Sequence, residues 1–116
     1  MTEHISAAEL EERLCRRDRE LALLDAREQG VFFDGHLFWA SCVPLSQLEL
    51  LVADLIPRRT TPVVICDGDG ADDGPAARAA ARMTELGWLD VRVLEGGLTD
   101  WPYSRYSGVN LSLIHI

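Results

Sequence analysis

The segment that most constrains the fold is the stretch from Pro62 to Pro75. Val63-Val64-Ile65-Cys66 is followed by Asp67-Gly68-Asp69-Gly70-Ala71-Asp72-Asp73-Gly74, then by Pro75 and an alanine-rich run. Consecutive β-branched residues with no polar alternate suit a strand buried on both faces, as in the middle of a parallel sheet. Gly and Asp supply the loop. Pro is favoured in the first turn of a helix, where its missing N–H costs no hydrogen bond. The expected order is therefore buried strand, loop, helix N-terminus. In open α/β sheets, sites form at such carboxyl ends of strands.

The rest of the chain repeats this alternation. Ser6 and Glu9 have capping-box spacing, and Leu10 and Leu14 share one face of a helix running to about Cys15. Leu21-Ala22-Leu23-Leu24 reads as a second buried strand ending at Asp25. Residues 27–34 read as a loop with a brief helical turn, and Gly35-His36 leads into an apolar stretch over 37–43. Ser46 and Glu49 repeat the capping-box spacing before a stripe of Leu48, Leu51, Val52 and Leu55. The helix from Pro75 runs to Leu86 and stops at Gly87. Val91-Arg92-Val93-Leu94 is another strand, and Gly96-Gly97 turns the chain into a short helix carrying Trp101. Strands alternating with helices predict an α/β fold with a central, mostly parallel sheet flanked by helices on both faces.

At 116 residues and 47% hydrophobic content the chain suits one domain with a real core. A net charge of -8 disfavours nucleic acid and anionic membrane surfaces as partners. There is no apolar run of transmembrane length and no basic, apolar start of a secretory signal, so the expected location is cytoplasmic. Cys15, Cys42 and Cys66 are odd in number and form no CxxC pair, which argues for reduced thiols rather than a disulfide framework. Residues 105–116 carry no pattern linking them to the rest, and the expectation is a domain over 1–104 with a truncated tail.

Several segments, in order, resemble the rhodanese family. Leu23-Leu24-Asp25-Ala26-Arg27-Glu28 is similar to its strand ending in Asp-Val-Arg-Glu, and Gly35-His36-Leu37 with Val43-Pro44-Leu45 to its Gly-His-Ile…Val-Pro-Leu segment. Pro62-Val63-Val64-Ile65-Cys66 resembles the strand that delivers the catalytic cysteine, and Leu86-Gly87-Trp88 with residues 91–101 resembles the family's closing segment. The resemblance implies a three-layer fold and sulfur transfer. Cys66 would take a sulfane sulfur from a small donor and pass it, as a persulfide, to a thiol acceptor, with no cofactor and no metal. Asp67, Gly68, Asp69, Gly70 and Gly74 would form the active-site loop, with its N–H groups and the following helix N-terminus lowering the thiol pKa. Asp25 and Arg27 would brace that loop. Residues 107–110 are similar to the segment that succeeds such a module in larger proteins, so further modules of the same protein are expected partners.

The loop departs from the family in its charge. Active members carry small or basic residues there, whereas this loop holds Asp67, Asp69, Asp72 and Asp73 and no cation before Arg78. Carboxylates disfavour a thiolate and repel an anionic donor. With loop N–H groups pulling the other way, a nucleophilic Cys66 is expected to be partly exposed and to titrate near the ordinary thiol value. The strand also aligns in a second register, with Asp67 in the nucleophile's place and Cys66 facing the sheet packing. Two readings of function remain: a sulfurtransferase working through Cys66, or a catalytically inactive module with a structural or interaction role. A phosphatase of the same superfamily needs a loop arginine for phosphate, and the loop has none. A calcium loop needs oxygen ligands where this one has Ala71 and Arg78. His36 suits a structural turn, Trp39, Trp88 and Trp101 suit packing, and Arg58 and Arg59 suit a solvated helix end.

Overall fold

In the computed structural model, residues 3–16, 21–27, 40–68, 70, 74–98 and 101 are described, with side chains for all of these except 14–16. Among the described residues, five strands form one sheet: β1 (Glu3–Ile5), β2 (Ala22–Asp25), β3 (Ser41–Cys42), β4 (Val63–Cys66) and β5 (Val91–Leu94). Their spatial order is β1-β5-β4-β2-β3, and every pairing is parallel. Among the described residues, three α-helices accompany them: α1 (Ala7–Arg16), α2 (Leu48–Leu55) and α3 (Pro75–Glu85). No helix among the described residues is long and apolar enough to cross a membrane.

The period-two alternation of side chains divides the core between the two faces of the sheet. Ala22, Leu24, Val63, Ile65, Val91 and Val93 face one layer with Val52 of α2 and Ala76, Ala79, Ala80 and Met83 of α3. Leu23, Val64, Cys66 and Leu94 face the other, with Ile5, Leu10 of α1, Leu98 and Trp101. This is the three-layer arrangement expected from the alternating elements. β4 is central, and its four residues are all buried, which is why it has no polar alternate.

The helix signals have mixed outcomes. Ser6 accepts a hydrogen bond from the Glu9 N–H at 3.1 Å and caps α1 as expected. Pro75 opens α3, and Gly87 beyond its end has φ +112°, a conformation that favours glycine. Ser46 does not cap α2. It lies inside a 3-10 turn, Leu45–Gln47, and α2 starts without a side-chain cap. That turn is tied into the domain by the Leu45 N–H, which donates to the Ala26 carbonyl at 3.1 Å. In the 37–43 stretch the described residues form a strand at Ser41–Cys42; residues 36–39, including His36 and Trp39, lie outside the described residues. β1 has no counterpart among the expected elements: it is short and buries only Ile5. Trp101 is buried, and its backbone N–H donates to the Leu98 carbonyl at 3.2 Å; most of the short helix expected around it lies outside the described residues. Arg59 is more than a solvated end. Its guanidinium stacks 3.8 Å from the Trp88 ring centre and donates to the Leu86 carbonyl at the end of α3.

Candidate functional site

The site expected from the sequence lies at the carboxyl ends of β2, β3 and β4. Cys42, Asp25 and Cys66 occupy one row across these strands, because Asp25 is in register with both cysteines. Two strand spacings put the cysteines about 9.6 Å apart, beyond the reach of a disulfide. Cys42 is half-buried and its Sγ lies 3.8 Å from the Arg27 carbonyl oxygen. No group of side chains suited to a metal ion occurs among the described residues.

Asp25 and Arg27 form a tight brace. The Arg27 Nε donates to Oδ1 at 2.9 Å, Nη2 donates to Oδ2 at 2.7 Å, and the Arg27 N–H donates to Oδ1 at 3.0 Å. Asp25 is fully buried, so these charge-assisted bonds replace its lost hydration. Burial alone would lower the pKa of Arg27, but hydrogen bonding and charge from Asp25 outweigh it and raise it. The backbone extends the brace: the Asp25 carbonyl accepts from Val43, and the Cys66 carbonyl accepts from Ala26, both at 2.9 Å.

Cys66 is the last residue of β4 and is 0% exposed. Its side chain belongs to the same core face as Val64, Leu94 and Trp101. Burial pushes the thiol pKa well above its ordinary value, and the Asp25 carboxylate adds to the shift; Arg27 opposes it and Asp67 reinforces it. The expectation of a partly exposed, near-ordinary thiol is therefore corrected. The leading cause is desolvation, not the loop carboxylates, and the strongest charge effect comes from a neighbouring strand.

One residue later the chain faces the other way. Asp67 is 1% exposed. Its Oδ1 accepts from the Gly70 N–H at 2.7 Å, and its Oδ2 accepts from the Ala76 N–H at 3.0 Å, at the start of α3. Its carbonyl accepts from the Leu98 N–H at 2.9 Å. A loop N–H and a helix N-terminus thus converge on the Asp67 carboxylate, a favourable seat for an anion. The loop can turn back this far because Gly70 has φ +68° and packs against the turn after β5; a Cβ there would lie 2.8 Å from the Gly96 nitrogen. Gly68 has open space around its Cα, and Gly74 is the N-cap of α3 in an ordinary extended conformation. Asp69 lies outside the described residues, as do residues 71–73. Sequence reasoning missed Ala76, Leu98 and the Gly96-Gly97 turn as parts of this seat. Pro75 carried a signal for the first, since the N–H groups that come after it in a first turn lack helical partners.

A family model described as "Rhodanese-like domain" matches residues 6–103. The chain is 38% identical to a solved thiosulfate sulfurtransferase from Pseudomonas aeruginosa, with a TM-score of 0.85, covering 94% of this chain and 21% of that one. It is 31% identical over 83 residues to the uncharacterized protein YqhL of Bacillus subtilis (strain 168), covering 72% of this chain and 62% of the relative. A rhodanese-related protein from Thermoplasma volcanium has the same fold at 24% identity, with a TM-score of 0.74 and coverage of 90% and 97%. The chain thus spans about a fifth of the Pseudomonas protein and less than two thirds of the Bacillus one.

Proposed function

The chain belongs to the rhodanese-like domain family, and from that premise we propose that it is a catalytically silent module with a structural or interaction role, rather than a carrier of sulfur on Cys66. The observation that supports this most is the occupancy of the anion seat. Sulfur transfer needs a thiolate at the strand end, facing the loop N–H groups that stabilise the persulfide. Here that place holds the Asp67 carboxylate, hydrogen-bonded to Gly70 and Ala76. A carboxylate has no sulfur to hold in a persulfide. Cys66 points into the opposite core face, where a persulfide anion would need room, hydration or a counter-charge.

The rival function, a sulfurtransferase acting through Cys66, draws its support from the 38% identity to the Pseudomonas thiosulfate sulfurtransferase. That chain is much longer than this one, so its activity need not reside in the segment resembled. The partners that suit a silent module are further rhodanese-like modules of the same protein; a small sulfur donor and a thiol acceptor suit the rival. Cys42 and Cys66 are not disulfide-bonded, which suits a reducing compartment, and the location in keeping with that is the cytoplasm.

The test is persulfide trapping. Native protein is incubated with thiosulfate, alkylated and weighed intact, then mapped by peptide. The expected result is no added sulfur on Cys66, with the thiol resisting alkylation until denaturant is present. The control is Asp67→Cys, whose thiolate would attack the outer sulfur of thiosulfate and expel sulfite; it should acquire a persulfide in the N–H seat. A persulfide on Cys66 in the native, folded protein overturns the proposal.

A further inference from the structure

We draw no further inference here: the strongest candidate, the row of Cys42, Asp25 and Cys66 across the carboxyl ends of β3, β2 and β4 beside the Arg27 guanidinium, offers a single half-buried thiol with nothing among the described residues that points to a ligand for it.

Discussion

Asp67 illustrates how much one side chain can decide. Its carboxylate satisfies two N–H groups, the buried one of Ala76 and the part-buried one of Gly70. Removing an acceptor from buried donors costs about 1–3 kcal/mol each time a donor is orphaned. Asp67→Ala should therefore lower the stability of the fold by about that amount or more, read as a shift of the urea midpoint at unchanged slope. Asp67→Asn keeps one acceptor oxygen and should cost less than Asp67→Ala. Equal stability of Asp67→Ala and the parent protein would mean that water satisfies the seat as well as the carboxylate does.

At the level of elements, the loop after β4 is held from two sides. Asp67 ties it to α3, while Gly70 lies against the turn after β5. Gly70→Ala combines a left-handed backbone conformation with a Cβ 2.8 Å from the Gly96 nitrogen and 3.0 Å from the Leu94 carbonyl oxygen. The left-handed conformation alone costs about 1–2 kcal/mol for a residue with a side chain, and the crowding is by backbone that cannot rotate away. We expect Gly70→Ala to destabilise the protein by at least that much and to speed amide exchange at Ala76 and Leu98. Gly68→Ala, with open space around it, should leave both amides as they were. If the two variants behave alike, the contact between loop and turn does not hold the loop.

For the molecule as a whole, the buried Cys66 thiol links stability to alkaline pH. Its pKa is raised in the folded state by burial, with Asp25 adding to the effect. In the unfolded chain the thiol titrates at about 8.5. Above that pH the unfolded state releases a proton that the folded state keeps, so unfolding becomes more favourable as pH rises. The stability associated with the neutral thiol is complete below the unfolded pKa and is lost as pH climbs towards the folded one. Denaturation curves collected from pH 7 to 10 should show a decline beginning near 8.5 that is shallower in Cys66→Ala. The alanine variant should itself be somewhat less stable at pH 7, because it leaves a small void beside Val64 and Leu94. An identical alkaline slope in both proteins would remove Cys66 as its source.

The three-layer architecture was already legible in the order of residues. The buried run at 63–65, the cap at Ser6, the proline at the head of α3 and the glycine beyond its end are local signals, and each acts through the backbone of its own segment. Local pattern also narrowed the nucleophile's position to two adjacent residues, Cys66 and Asp67. Which face each of them presents was beyond its reach. A strand's side chains alternate, and only pairing with β2 and β5 sets which of them meet α3. Strand pairing likewise placed Asp25 beside Cys66, more than 40 residues away in the chain. The Ser46 signal gave way for a related reason: hydrogen bonding to Ala26 drew the preceding residue into a 3-10 turn. Local chemistry wrote the elements, and contacts between distant segments settled which atom meets the helix N-terminus.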